Sequence, residues 1–207
     1  MIAVNADKED YRKKVKNFYL TSDNGRVKSL SVKKEQKATI RTVRMEDAIA
    51  LLEIQREVVE EGDFFISVSE EFKKTLEQQS EWIKNILENE RETLLVAEMD
   101  GEIVGWIVFT TQDRKRLSHT GSMGIMIKKE KRNLGIGKLL LEELLSWAEL
   151  NPLIEKVSLG VFSTNQKAIA LYKSMGFVEE GRKIKEFKFS DNEYVDDILM
   201  YKLVSDS

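Results

Sequence analysis

Lys131-Arg132-Asn133-Leu134-Gly135-Ile136-Gly137-Lys138 is the stretch on which the fold of this chain turns. An apolar run ending near Lys128 leads into it, and a Leu-rich run of helical spacing, Ile136–Leu150, leaves it, so the octet joins a strand to a helix. Glycine lets the main chain come close to a ligand there, and the free N–H groups and dipole of a helix start attract an anion. Spacing separates the known loops of this kind. A dinucleotide fingerprint beginning at Gly135 needs glycine where Leu140 stands. A P-loop ending on Gly137-Lys138 needs glycine at Arg132 and Ser or Thr at Leu139. Neither fits.

Working outward, the C-terminal side reads as a strand (Lys156–Val161), a short helix (Asn165–Met175), a strand (Phe177–Phe189), a turn at Ser190-Asp191-Asn192 and a last strand (Tyr194–Leu203). Pro152 marks the exit from the Leu-rich helix. On the N-terminal side, Thr93–Met99 and Glu102–Thr110 are apolar strands joined by Asp100-Gly101, a tight hairpin signal. Before them the pattern predicts a strand from Ala38 to Val43 and a helix from about Met45 to Gly62. A second helix is expected to open on a Ser67/Glu70 capping box, with Phe72, Leu76, Ile83, Ile86 and Leu87 inward. Strand-like residues at Lys14–Leu20 and Arg26–Val32 flank Ser22-Asp23-Asn24-Gly25, which predicts an added hairpin. The expectation is a mixed α+β fold, a mostly antiparallel sheet flanked by helices, over residues 38–207, with residues 1–37 as an N-terminal extension.

Composition narrows the chemistry. At 207 residues the chain suits one principal domain, and 42% hydrophobic with 33% charged residues is a globular balance. A net charge of -3 offers no general attraction to phosphate backbones, so nucleic acid is not the expected partner. No cysteine means no thiolate nucleophile and no sulfur-held metal, and with a single histidine no metal site is expected. There is no apolar run of membrane length and no basic, apolar leader at Met1, which points to the cytoplasm and away from membranes.

Arg132-x-x-Gly135-x-Gly137 followed by Asn165-x-x-Ala168-Ile169-x-Leu171-Tyr172-x-x-x-Gly176-Phe177 resembles the GNAT superfamily of N-acetyltransferases, from about Ala38 to Leu203. The resemblance implies the acyl-CoA N-acyltransferase fold and acetyl-CoA as cofactor. The main chain of Ile125, Met126 and Ile127 would pair with pantetheine. The N–H groups from Asn133 through Leu134, Gly135, Ile136, Gly137 and Lys138 would surround the pyrophosphate, with Arg132 and Lys138 adding charge. Asn165 and Ala168 would meet the cofactor arm, although Asn165 also suits a helix N-cap. Tyr172 matches the family's general acid, a phenol able to protonate the departing CoA thiolate.

The acceptor is less defined. An amine with a pKa near that of lysine, about 10.4, arrives charged and must lose a proton before it attacks. His119, the only histidine, is one candidate base, and Glu60, Glu61 and Asp196 are acidic alternatives. The region Glu60–Ser69 and the last hairpin are expected to form the acceptor site, where Glu60, Glu61 and Asp63 suit a cationic amine. The pattern Asn192-Glu193-Tyr194-Val195-Asp196-Asp197-x-x-Met200 is similar to bacterial members that act on amino acids, polyamines or similar amines. Lack of cysteine favours direct attack in a ternary complex. Protein N-termini or lysines as acceptors, and a non-catalytic CoA sensor, stay open at this point, as does a homodimer.

Overall fold

Alternation along the central strands sends side chains into two separate cores. The structure, a computed structural model, describes residues 30–32 and 36–205. Its strands are β1 (Leu30–Val32), β2 (Gln36–Thr42), β3 (Thr93–Met99), β4 (Glu102–Thr111), β5 (Thr120–Ile127), β6 (Lys156–Phe162), β7 (Val178–Ser190) and β8 (Glu193–Leu203). The helices are α1 (Ala48–Glu61), α2 (Leu76–Leu87), α3 (Ile136–Leu150) and α4 (Gln166–Ser174). Leu94 and Val96 of β3, with Trp106 and Val108 of β4, pack under α1 and α2 against Leu51, Ile54 and Ile83. Their neighbours Leu95, Ala97, Ile107 and Phe109 point the other way, onto Leu140 and Leu144 of α3. With both faces covered, these strands read as unbroken apolar runs rather than as polar–apolar alternation.

Among the described residues one sheet runs in the order β1-β2-β3-β4-β5-β6-β8-β7, antiparallel throughout except for β5 against β6. This is the expected mixed fold with helices on both faces. The β3–β4 turn uses positive φ at both Asp100 (52°) and Gly101 (81°), as a tight two-residue hairpin demands. The hairpin expected over residues 14–32 lies outside the described residues apart from Leu30–Val32, which pair with Gln36–Ala38 of β2. The start of α2 needs a correction. Its capping box is Thr75 and Gln78, not Ser67 and Glu70: Gln78 N–H donates to Thr75 Oγ1 (3.3 Å) and Thr75 N–H to Gln78 Oε1 (3.0 Å). Extended backbone at Phe72 (ψ 91°) separates the short 3-10 turn at Ser69–Glu71 from the helix.

The entry to α1 is fixed by a carboxylate. Asp47, 6% exposed, accepts from Arg41 Nη1 (2.7 Å) and Nη2 (2.9 Å) and from the Arg44 N–H (2.7 Å). Burial opposes its charge, but these donors outweigh burial and hold the carboxyl below its ordinary pKa. Stability gained from such a group is present above the unfolded pKa and fades as pH falls through the lower folded one. Asp47→Asn is therefore expected to cost about 1–3 kcal/mol at neutral pH. In urea titrations that deficit should shrink towards zero in acid.

The sheet opens at one place. The parallel pairing of β5 with β6 covers Thr120, Gly121 and Ser122 against Lys156, Val157 and Ser158, and there it stops. Beyond it β5 continues to Ile127 on β4, and β6 continues to Phe162 on β8. The two strands diverge and leave a wedge between them.

Candidate active site

A cleft of about 1130 Å³ occupies that wedge, lined on one wall by Met123–Ile127 of β5 and on the other by Leu159–Phe162 of β6. Beyond Ser122, β5 has no strand partner on this side among the described residues, so its main-chain groups are open to an extended ligand arm. The Ile127 carbonyl is already engaged by Arg132 Nε at 2.9 Å.

The loop after β5 closes one end of the cleft. Asn133 (φ 61°) and Gly135 (φ 86°) are left-handed, and α3 begins immediately after. Its first intrahelical bond runs from the Leu139 N–H to the Gly135 carbonyl (3.1 Å), so the N–H groups of Ile136, Gly137 and Lys138 have no acceptor in the helix. The side chains of Leu134 and Ile136 turn inward onto the α3 core, while Asn133, Gly135, Gly137 and Lys138 line the cleft. At Gly137 a Cβ would come within 3.3 Å of Ile127 Cδ1, so glycine keeps helix and strand close. Bare amides aimed into a cleft at a helix start make a cradle for a diphosphate, and Lys129, Lys131, Lys138 and Lys167 add positive charge around it. The fit to acetyl-CoA is a fit of main chain and charge.

Arg132 and Glu61 lie together, although the sequence placed one with the cofactor and the other with the acceptor. Arg132 Nη1 and Nη2 donate to Glu61 Oε2 and Oε1 at 2.6 and 2.8 Å, a two-pronged ion pair joining the end of α1 to the loop. Arg132 thus braces the loop by its side chain, and Glu61 has its charge met. Lysine cannot reproduce the fork. Arg132→Lys and Glu61→Gln are each expected to raise KM for acetyl-CoA by about tenfold. The double variant should add little to either, because both remove one contact.

Tyr172 lines the other wall. It stands on α4, whose N-cap Asn165 spends its Oδ1 on the Ala168 N–H (3.2 Å). At 6% exposure the ring packs on Phe177, centroids 5.9 Å apart, and burial pushes the phenol up to about 12. At neutral pH it is a proton-bearing hydroxyl on a residue that lines the cleft.

Three acceptor-side candidates lie away from the cleft lining. His119 is exposed in the turn just before β5, where its carbonyl accepts from the Glu155 and Lys156 N–H groups. It does not line the cleft, which begins at Ser122. Glu60 is exposed on α1 and outside the cleft. Asp196 spends its carboxylate within the last hairpin, accepting from the Lys185 N–H (2.7 Å) beside Arg182 (3.5 Å). Its neighbour Asp197 turns to the cleft instead, with Glu180, Phe187 and Leu199. Strand parity held that signal: Val195, Asp197 and Leu199 share one face of β8, while Ile198 and Met200 share the core face.

A splayed sheet, bare amides at a helix start and a buried, proton-bearing phenol suit transfer of an acyl group from an acyl-CoA. Residues 55–177 match the Acetyltransferase (GNAT) family, and the chain belongs to that family. It is 33% identical over 109 residues to the L-amino acid N-acetyltransferase AaaT of Escherichia coli, covering 53% of this chain and 67% of that one. A GNAT-family acetyltransferase of Streptococcus pneumoniae superposes with TM-score 0.77 at 31% identity, covering 80% of this chain and 99% of that one. The same fold recurs, at 19% identity and TM-score 0.74, in an acetyltransferase of Salmonella typhimurium solved with acetyl-CoA, over 82% and 95% of the two chains. The protein is an N-acetyltransferase, and acetyl-CoA is its acyl donor. Among the described residues no helix is long and apolar enough to cross a membrane, and no group of side chains is arranged to hold a metal ion.

Proposed function

We propose that this chain acetylates a small primary amine, an amino acid, a polyamine or a similar compound, by direct attack within a ternary complex. The carrying observation is the neutral Tyr172 hydroxyl buried beside the wedge where β5 leaves β6. Acetyl-CoA supplies an activated acyl carbon, a thioester. The amides from Asn133 to Lys138 hold its diphosphate, Arg132 keeps that loop in shape through Glu61, and the main chain of Ile125 and Met126 aligns the arm. The acceptor nitrogen, once deprotonated, forms the N–C bond as the C–S bond breaks. Tyr172 donates to the sulfur, so that CoA departs as a thiol, and the proton that the nitrogen sheds on becoming an amide restores the phenol. With no cysteine in the chain, no acyl group passes through a protein thiol.

Release of free thiol from acetyl-CoA with a panel of small amines tests the proposal, beside calorimetric titration of the cofactor. Binding with amine-dependent thiol release is expected. Absence of heat on adding acetyl-CoA would overturn it.

A further inference from the structure

The cleft is lined by charged groups of both signs and by an apolar surface. The cations lining it are Lys129, Lys131 and Arg132 between β5 and α3, Lys138 in the first turn of α3 and Lys167 in the first turn of α4. The wall made by the end of β6 and the last hairpin carries Phe162, Phe187 and Leu199, and Phe64-Phe65-Ile66 of the α1–α2 connection lines the cleft just after Glu61. The acids lining the cleft are Glu61, which is paired with Arg132, and Asp63, Glu180 and Asp197. Glu180 is met by Lys156, which is not among the lining residues.

Asp197 is the most enclosed of these, at 7% exposure. Its carboxylate rests on Gly160 of β6, where a Cβ would lie 2.7 Å from Oδ1. The glycine is what makes room for it. Its ion-pair contact is Lys183 Nζ, 3.4 Å from Oδ2, a side chain 49% exposed and also bonded to Glu186. A carboxylate set into an apolar wall and weakly matched from outside is a seat for a cation. Phe162, its register partner on β6, stacks on Phe187 (4.4 Å) beside it and gives hydrocarbon a surface.

We infer that the acceptor is a lipophilic cationic amine without a carboxylate, its ammonium held at Asp197 and its hydrocarbon body lying on Phe162, Phe187 and the Phe64-Phe65-Ile66 wall. A free amino acid would bring a second carboxylate beside Asp197, whose ion-pair partner Lys183 is already shared with Glu186. This rests on the proposed acetyl transfer and narrows its acceptor.

The test compares pairs that differ in the carboxylate: phenethylamine with L-phenylalanine, and isopentylamine with L-leucine. Each decarboxylated amine is the stronger base, so easier deprotonation cannot produce a preference for it. kcat/KM should favour the amine by at least about tenfold in both pairs, since like charges brought together in an interface are strongly disfavoured. Asp197→Asn should lower kcat/KM for phenethylamine about 30-fold or more, mainly through KM, with the thermal shift given by acetyl-CoA unchanged. Gly160→Ala, which keeps the carboxylate but displaces it, should act in the same direction. Equal or better use of the free amino acids overturns the inference, and so does wild-type kcat/KM in Asp197→Asn. Turnover of neither member of a pair, with acetyl-CoA still bound, overturns it too. Failure to bind acetyl-CoA would instead sink the transferase reading itself.

Discussion

Tyr172→Phe is expected to lower kcat by about 10²–10⁴-fold while leaving the acetyl-CoA thermal shift in place. The ring is a packing element as well as a chemical one: it lies 6% exposed against Phe177 in the core beneath α4. Phenylalanine keeps that volume and removes a single oxygen, so the fold should survive. Losing the donor removes an interaction made as the sulfur acquires charge, which is a loss in kcat rather than in cofactor affinity. The pH profile gives a second check. Because burial raises the phenol to about 12, rate should climb with pH as the amine loses its proton, with no falling limb from Tyr172 short of that value. Full kcat in the phenylalanine variant would show that another group, or water, protonates the sulfur.

How much of this was legible in the sequence depends on the range of the interaction concerned. The β3–β4 turn, the α3 boundaries and the Asn165 cap are set within a few residues, and the structure has them where the local chemistry puts them. The α2 start shows the limit of that reasoning. Both Ser67/Glu70 and Thr75/Gln78 have capping-box spacing, and the choice rests on Ile83 and Ile86 reaching the core from a helix begun at Leu76. Nothing local reveals the Arg132–Glu61 pair, whose members stand 71 residues apart and meet because α1 ends beside the loop after β5. Asp196 and Asp197 were a question of parity. A strand sends neighbours to opposite faces, so choosing the wrong member of the doublet moves the acid from the cleft into the hairpin. His119, the sole histidine, sits in the turn before β5, ahead of the point where β5 and β6 part.

That point of parting carries the other large effect. Gly121 pairs with Val157 in the short parallel segment, and its carbonyl accepts from Ser158 Oγ at 2.7 Å, so it sits at the vertex of the wedge. A Cβ there would lie 2.4 Å from Phe109 Cζ and 2.5 Å from the Thr110 carbonyl oxygen. Phe109 is fully buried and wedged against Trp147 of α3 (5.6 Å), so the ring has nowhere to swing, and the carbonyl belongs to a central strand. Gly121→Ala should therefore cost about 3 kcal/mol by overpacking, a fall in Tm of about 6–12 °C for a domain of this size. Any molecule that stays folded must spread β4 from β5 or shift α3, and either changes the angle at which β5 leaves β6. The variant should thus lose acetyl-CoA affinity together with stability, whereas Tyr172→Phe should lose turnover alone. If Gly121→Ala melts with the wild type, the vertex yields more readily than its contacts imply, and the wedge is not held open by the packing of Phe109.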